Sequence, residues 1–340
     1  MSLADLWFVL FVAIIGGYLV LDGFDLGVGM LHPFAAREDR ERRIVLNSIG
    51  PIWDGNEVWL VVGGGVLFAA FPVVYAALFS GFYWALMLVL IALILRTVAI
   101  EFRGKREGSR WRGLWDSVFS LSSFGLALLL GVAFGNVISG VPLDKNGEVQ
   151  LGSLLDVLHP FALFLGATTI AMLLMHGSLY LAVKTEGDLQ ARVRRWIPWF
   201  IALFTLMAAV SAIWIAVSDY GVTDTFTDDV WTLIFPLAAL VSYVGMIVMA
   251  RRGRDFGAFL GSSALLFFSL ATISAGLYPN MLKSSTNPAY SMTVSNASAE
   301  HYTLTVMLVV ALIGIPFVLL YTAGVQYLFS GKVQLTESSY

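Results

Sequence analysis

The chain has 340 residues, of which 58% are hydrophobic and only 13% are charged, roughly half the charged fraction of a typical soluble domain. It contains no cysteine, which excludes disulfides and thiolate metal sites. Its formal net charge of −3 says little, because a membrane protein distributes its charges unequally between the two sides of the membrane. The composition predicts a polytopic membrane protein.

Nine apolar segments predict an all-α integral membrane protein with nine transmembrane helices, since each has about 20 residues or more. Nothing precedes the first segment, so we expect no cleavable signal peptide. A tight turn at Phe71-Pro72 separates the second and third segments, although the apolar run continues across it. The predicted spans are residues 5–31, 51–71, 75–100, 115–139, 157–183, 196–217, 230–250, 256–277 and 302–329.

The basic residues predict how the chain is oriented. With the N-terminus outside, 17 of the 20 Lys and Arg residues fall in the inner loops or the C-terminal tail. The positive-inside rule therefore predicts an N-out, C-in topology. An even number of spans would spoil this sorting. The basic loops are accordingly interpreted as topology signals, and we expect no nucleic-acid partner.

A weak internal repeat suggests two related halves. Arg112-Gly113 and Ser122-Ser123 recur 140 residues later as Arg252-Gly253 and Ser262-Ser263. The matching residues are common ones, so duplication is a hypothesis, although repeats of this kind are frequent in membrane proteins. The predicted organisation is a first four-helix bundle at 1–142, a second at 157–277 and a peripheral ninth helix at 302–329.

Two of the spans carry four acids where a membrane helix usually carries none. Asp22 and Asp25 lie in the first span, and Asp54 and Glu57 lie at the start of the second. Residues three apart share a face of a helix. A charged side chain in the membrane costs several kcal/mol, usually faces the bundle interior and marks a proton or ion path. Neighbouring carboxyls also tend to share a proton, so the pattern predicts a site that receives and passes protons.

Each acidic pair has a simpler interpretation that the residues alone leave open. Asp22 and Asp25 could lie at a helix end that has reached the headgroups, although carboxylates there oppose the helix dipole. Asp54 and Glu57 could cap the second helix, because its N-terminal dipole favours acids in the first turn. Trp53 could be an interface anchor.

Arg96 is a basic residue near the inner end of the third span, and Glu101 follows one helical turn or so later. An arginine inside the membrane needs a partner. We therefore expect Arg96 to pair with an acid of the first two helices. The alternative is an arginine that snorkels to the headgroups from a helix end.

The histidines do not predict a cofactor site. His32 and His159 each precede Pro-Phe near a membrane boundary and are predicted to lie in loops. His176 is in the middle of the fifth span and has no obvious second ligand, whereas a low-spin haem needs two axial ligands. We therefore expect this chain alone to bind no haem or metal.

The segments around the acids resemble subunit II of the cytochrome bd family of quinol oxidases. The match is dense across residues 18–142 and looser beyond, and it covers nearly the whole chain. The densest segments are DGFDLGVGML at 22–31, RRIVLNSIGPIWDGNEVWL at 42–60, GGVLFAAFPVVYAALFSGFY at 64–83 and RTVAIEFRGK at 96–105.

This resemblance implies a heterodimer in the bacterial cytoplasmic membrane that oxidises quinol and reduces O₂ to water. Each of the two homologous subunits has two four-helix bundles and a peripheral helix. Haem b558, haem b595 and haem d belong to subunit I. Some members hold a quinone in subunit II or carry small single-helix subunits, so both are open for this chain.

The resemblance also implies that subunit II supplies part of a cytoplasmic proton path toward the oxygen-reducing haem. Glu57 stands where some relatives have Gln, which puts its role in doubt. The outer loop at about 218–229 is shorter than the one some relatives carry. The family's path acids fall on Asp25, Asp54 and, near the inlet, Glu101, with Asp22, Trp53 and Arg96 beside them.

Two other functions compete with this one. A proton-coupled secondary transporter would fit midplane acids and a repeat, and it predicts activity from this chain alone. A purely structural subunit predicts that the Asp25→Asn and Asp54→Asn variants keep full turnover.

Overall fold

The computed structural model describes residues 2–218 and 220–335, and these are mostly helical. Short 3₁₀ helices cover Leu154–Val157, Val230–Leu233 and Pro288–Tyr290, and strands β1 (Asn280–Leu282) and β2 (Met292–Thr293) form an antiparallel hairpin. The α-helices are α1 (Leu3–Ala35), α2 (Asp39–Ile49), α3 (Trp53–Ala70), α4 (Pro72–Gly81), α5 (Tyr83–Arg103), α6 (Ser109–Ser139), α7 (Pro160–Lys184), α8 (Gly187–Val217), α9 (Asp224–Asp228), α10 (Ile234–Arg251), α11 (Asp255–Leu277) and α12 (His301–Leu328).

The helices agree with the predicted number of spans but move one boundary. In the described chain, eight helical segments are long and apolar enough to cross a membrane, and the α3–α4 pair, bent by 120°, adds a ninth candidate. The predicted third span, 75–100, is wrong at its start, since residues up to 81 form the separate helix α4 and α5 begins at Tyr83. Pro72 causes the break between α3 and α4, because it lacks an N–H and disfavours a helical conformation at the preceding residue, Phe71.

The centre of the molecule is built by α1, α6, α7 and α11. Where α1 crosses α7, a Cβ on Gly27 would lie 2.8 Å from the Cα of Gly177 and 2.1 Å from the Leu173 carbonyl oxygen. Glycines at a crossing let two membrane helices approach closely. The two segments predicted to form four-helix bundles thus meet where α1 crosses α7, and both the division into two bundles and their common origin stay predictions.

At one end of the bundle, ion pairs tie together the four predicted inner loops. Helix α2, which was not predicted, lies at this end and buries Val45, Leu46 and Ile49 beneath its charged face. Lys332 of the C-terminal tail donates to the Ala182 carbonyl at the same end. The joining pairs include Arg42–Asp116 at 2.7 Å, Arg103–Asp39 at 2.9 Å, Arg192–Glu41 at 2.9 Å and Arg194–Asp255 at 2.5 Å.

The loops at the opposite end are held by hydrogen bonds to the helix termini. Trp7 Nε1 donates to the Leu304 carbonyl at 3.0 Å, which ties α1 to α12. The Tyr278 hydroxyl donates to Asp5 Oδ1 at 3.0 Å. The predicted inner loops therefore share one end of the molecule, while the side of the membrane that this end faces stays a prediction.

Two histidines test the prediction that Pro-Phe marks a loop. His159 is the N-cap of α7, where it accepts a bond from the Ala162 N–H, so it does lie at a helix boundary. The prediction for His32 is wrong, because α1 continues through Pro33 to Ala35 and buries the imidazole completely. A proline in the last turn of a helix costs a single backbone hydrogen bond, which the packed surroundings of α1 outweigh.

Candidate functional site

An ion cluster lies buried between α1, α3 and α5. Arg96 Nη2 is 2.7 Å from Asp22 Oδ1 and 3.9 Å from Asp25 Oδ2. Its Nη1 donates to Glu57 Oε1 at 2.9 Å. The side chains of Arg96, Asp22 and Asp25 are 0% exposed. The predicted pairing of Arg96 with acids of the first two helices is confirmed, and a snorkelling arginine is excluded. We call these four residues the Arg96 cluster.

Asn56 fixes one carboxylate of the cluster and was not predicted to do so. Its Nδ2 donates to Asp25 Oδ2 at 2.8 Å and contacts the Leu21 carbonyl at 3.3 Å. The side chain is buried. An amide inside a span needs hydrogen-bond partners as much as an acid does, and that rule could have identified Asn56 from the sequence.

Several polar atoms of the Arg96 cluster have no hydrogen-bond partner among the described residues. These atoms include Asp22 Oδ2 and Asp25 Oδ1. Next to the cluster, the buried hydroxyl of Tyr18, one turn before Asp22 on α1, also has no partner among the described residues. The cluster also has one guanidinium for three carboxyl groups. Buried polar atoms without partners are costly, so this cluster calls for an explanation beyond a structural ion pair.

The predicted site residues differ in how deeply their side chains are buried. Glu57 is the member closest to the surface, with 19% of its side chain exposed. Trp53 is buried at the start of α3. Glu101 is half-buried, about one turn beyond Arg96 on α5, and it also makes an interaction.

Asp54 does not join the other acids. Its side chain is exposed on the surface of this chain, so Asp54 lies outside the buried cluster and its place on a proton path stays a prediction. Successive residues of a helix are rotated by about 100°, so positions 54 and 57 differ by about 60° in direction. This rotation separates Asp54 from Glu57, which reaches Arg96.

A second ion cluster lies toward the α2 end and was missed by the sequence analysis. Asp116 on α6 accepts from Arg103 Nε at 2.5 Å and from Arg42 Nη1 at 2.7 Å, and it lies 3.6 Å from His32 Nε2. We call Asp116, Arg42 and Arg103 the Asp116 cluster. Asp116 falls inside the predicted fourth span, so the rule that singled out Asp22 would have identified it.

Acids on α2 extend the Asp116 cluster toward the surface. Asp39 pairs with Arg103 and with Arg112, each at 2.9 Å. Partial burial would raise the pKa of Asp39, but the hydrogen bond from Arg103 and the two positive charges lower it below its ordinary value. The hydrogen bond from Arg192 likewise lowers the pKa of Glu41. These carboxylates are therefore ionised near neutral pH and act as fixed anchors.

His176, the mid-span histidine, is a packing residue in this arrangement. Its Nδ1 lies 2.8 Å from Ser262 Oγ, and its Nε2 lies 3.0 Å from the Val20 carbonyl oxygen. The ring stacks on Phe259 with 5.1 Å between centroids. Both ring nitrogens are thus used to link α7 with α11 and α1.

Comparisons with known proteins identify relatives over nearly the full length. A family model described as cytochrome bd terminal oxidase subunit II matches residues 3–329. Cytochrome bd-I ubiquinol oxidase subunit 2 of Escherichia coli (strain K12) is 37% identical, covering 96% of this chain and 94% of the relative. Cytochrome bd ubiquinol oxidase subunit 2 of Bacillus subtilis (strain 168) is 35% identical, covering 99% of this chain and 98% of the relative.

A solved structure has the same fold. A chain of the bd oxidase from Geobacillus thermodenitrificans superposes with a TM-score of 0.79 and covers 97% of this chain and 99% of its own. The two sequences are 16% identical. That comparison therefore supports the helical architecture and carries no residue roles.

Proposed function

Because this chain belongs to the cytochrome bd terminal oxidase subunit II family, we propose that it conducts protons toward the oxygen-reducing haem of a partner subunit. The relatives are named as ubiquinol oxidase subunits. We extend quinol oxidation and O₂ reduction to the complex that contains this chain. The partner is subunit I, against which this chain packs as a heterodimer.

The observation that carries the proposal is the Arg96 cluster. Reduction of O₂ to water consumes protons, so a buried active site needs a route for them. The cluster offers three carboxyl groups around one guanidinium, with oxygens of Asp22 and Asp25 that no described residue satisfies. Intramembrane acids of this kind mark proton relays.

The residues divide the work by their chemistry. Arg96 keeps its charge, because a guanidinium does not lose its proton in proteins. Its positive charge balances one carboxylate while a proton sits on another. Asp22 and Asp25 both lie against Arg96 Nη2, so a proton can leave one carboxyl O–H and bind the other carboxylate with little rearrangement of charge.

Asn56 and Glu57 serve the two sides of this exchange. Asn56 donates to Asp25 and so holds that carboxylate in place. Glu57 is the least buried member of the cluster, which suits the position where protons enter or leave. Glu101 lies toward the α2 end and fits an inlet, and Trp53 is buried at the start of α3. Asp54 would contribute from the exposed surface of α3.

We propose that the haems of the complex lie outside this chain. His176 uses both ring nitrogens for hydrogen bonds, and the described part of the chain brings together no group of three or more His, Cys, Asp or Glu side chains that could hold a metal ion. We therefore assign no step to a haem in this chain. Haem b558, haem b595 and haem d are assigned to subunit I.

The proposed setting is the bacterial cytoplasmic membrane with the α2 end inside. The clustering of basic residues at that end supports it, because positive residues are retained on the cytoplasmic side. A bound quinone and small single-helix subunits remain predictions. The family membership removes the support for a stand-alone transporter.

The proposal is tested by oxygen consumption of the purified two-subunit complex. We expect Asp25→Asn to slow turnover by about tenfold or more while the haem content stays unchanged, because an amide cannot accept the proton. Glu148→Gln, an exposed acid at the opposite end, is the matched control and should turn over normally. Wild-type turnover in Asp25→Asn would refute the proton path and leave the family membership intact.

A further inference from the structure

His32 is a buried imidazole whose environment the proposed function does not yet explain. Its side chain is 0% exposed, and neither ring nitrogen makes a hydrogen bond to a described residue. The ring packs edge-on against Phe119, with 5.6 Å between centroids. A buried polar group without a hydrogen bond costs free energy, so its presence calls for a reason.

The charged groups that face His32 come from three helices. Asp116 of α6 lies 3.6 Å from its Nε2, the Arg42 backbone of α2 borders the ring, and Arg103 of α5 is bound to Asp116. Arg42 is 33% exposed, whereas the Asp116 side chain is 5% exposed. The Asp116 cluster thus connects the exposed end of the molecule to the buried imidazole.

On its other side, His32 continues the stripe of polar residues on α1. Asp22, Asp25, Gly29 and His32 are spaced by three, four and three residues, which places them on one face of the helix. At about 1.5 Å per residue, His32 and Asp25 are separated by about 10 Å along the axis. Along this face, α1 runs from Asp22 and Asp25 in the Arg96 cluster to His32 beside the Asp116 cluster.

A hydroxyl lies midway between the two. A Cβ on Gly29 would be 2.1 Å from Ser123 Oγ, so the Ser123 side chain occupies the space beside Gly29. Ser123 is fully buried and donates to the Phe119 carbonyl at 2.8 Å. Its oxygen keeps lone pairs that can accept another hydrogen bond. Ser123 thus divides the separation between His32 and Asp25 into two distances of about 5 Å each along the helix axis. One water can bridge such a distance.

We propose that His32 is a proton-carrying residue that links the Asp116 cluster to Asp25 by way of Ser123. One ring nitrogen of the neutral imidazole binds a proton that water delivers beside Asp116, because the Arg42 and Arg103 guanidiniums keep their own protons. The N–H bond on the other nitrogen then breaks as its proton moves to the Ser123 oxygen, the Ser123 O–H proton passes through water to the Asp25 carboxylate, and the ring is neutral again. Two nitrogens on opposite edges suit an imidazole to this transfer. The inference rests on the proposed proton path.

Oxygen consumption per haem in the assembled complex tests this relay. We expect His32→Gln to slow turnover by about tenfold, because glutamine keeps polar atoms at the site but does not titrate. His159→Gln is the matched control, since His159 is a half-buried histidine at the opposite end of the bundle. It should keep wild-type turnover.

A rescue experiment separates proton transfer from packing. His32→Ala leaves room for a small molecule, and added imidazole should restore at least a few-fold of the lost turnover. Thiazole has a similar size but is a far weaker base, and it should not rescue. Equal rescue by both molecules, or by neither, would mean that His32 fills space, and the relay would be wrong.

The outcomes also separate this inference from the proposed function. Wild-type turnover in His32→Gln together with slow turnover in Asp25→Asn overturns the relay and keeps the proton path. Wild-type turnover in both variants overturns both. Should His32→Ala fail to assemble, the solvent isotope effect on His32→Gln turnover decides: an increase over the wild type supports the relay, and no increase overturns it.

Discussion

The two ion clusters of this chain are built from the same residue types in opposite proportions. The Arg96 cluster places three carboxyl groups around one guanidinium, and oxygens of Asp22 and Asp25 are left without partners. The Asp116 cluster places one carboxylate between two guanidiniums, and both of its oxygens are bonded. A carboxylate whose oxygens are all bonded can anchor helices, whereas a buried excess of unsatisfied carboxyls is costly and is the basis of the proposed proton path.

Their positions differ as well. The Asp116 cluster joins α2, α5 and α6 at the exposed end, while the Arg96 cluster lies deeper between α1, α3 and α5. The comparison suggests that the first anchors the α2 end of the bundle, beside the proposed entry to His32, and that the second is where the proposed path holds its protons. Substitutions in either cluster test this difference between their roles.

The largest effect should come from removing the cation of the Arg96 cluster. Arg96→Leu leaves three buried carboxyls without a counter-charge, and breaking a buried pair costs about 3–5 kcal/mol. We expect little assembled, haem-loaded complex, as measured by yield and by the thermal unfolding midpoint. Arg96→Lys retains the charge and should recover part of the yield. Normal yield from Arg96→Leu would show that the acids carry no net charge.

The Asp116 cluster should respond mainly in stability. Asp116→Asn removes the shared anion and leaves Arg42 and Arg103 facing each other, with Arg103 nearly buried. We expect a loss of about 2–4 kcal/mol in the free energy of unfolding, measured as a lower thermal midpoint of the complex. Asp228→Asn, at the exposed last residue of the short helix α9 at the opposite end, is the control. An unchanged midpoint for Asp116→Asn would show that this cluster does not anchor the bundle.

A smaller, pH-dependent effect is expected where α2 meets α8. Arg192 lowers the pKa of Glu41 below its ordinary value of 4.5, so this pair stabilises the fold above pH 4.5. The contribution is lost as the pH falls through the lowered pKa. Glu41→Gln should destabilise the complex by about 1 kcal/mol at pH 7, and the difference from wild type should shrink below pH 4.

Thermal unfolding between pH 7 and pH 3.5 measures this difference. Glu38→Gln, an exposed acid beside α2, should change little at any pH. A destabilisation by Glu41→Gln that stays constant across the range would indicate lost packing instead of a lost ion pair.

Much of this organisation could be predicted from the sequence because the membrane makes charges conspicuous. The number of spans follows from apolar segments. The pairing of Arg96 with Asp22 and Glu57 follows from the high cost of an isolated charge in hydrocarbon. In contrast, the exposure of Asp54 depends on which face of α3 packs against α1, and a single sequence does not report helix rotation.

The errors have equally physical causes. Pro33 suggested that His32 lies in a loop after a span ending at residue 31, but packing carried α1 four residues further, to Ala35. Helix α2 was missed because five of its 11 residues are charged and because tertiary ion pairs hold it in place. Asp116 was overlooked at the edge of a predicted span. Sequence rules find a charge in the membrane more readily than the partners that satisfy it.

The most direct test of the account follows proton uptake during a single turnover. The fully reduced two-subunit complex is mixed with O₂ in weak buffer, and a pH indicator reports proton uptake while the haem absorbance reports O₂ binding. We predict that Asp25→Asn binds O₂ as fast as the wild type but takes up protons about tenfold more slowly. Proton uptake at the wild-type rate in Asp25→Asn would contradict the central claim.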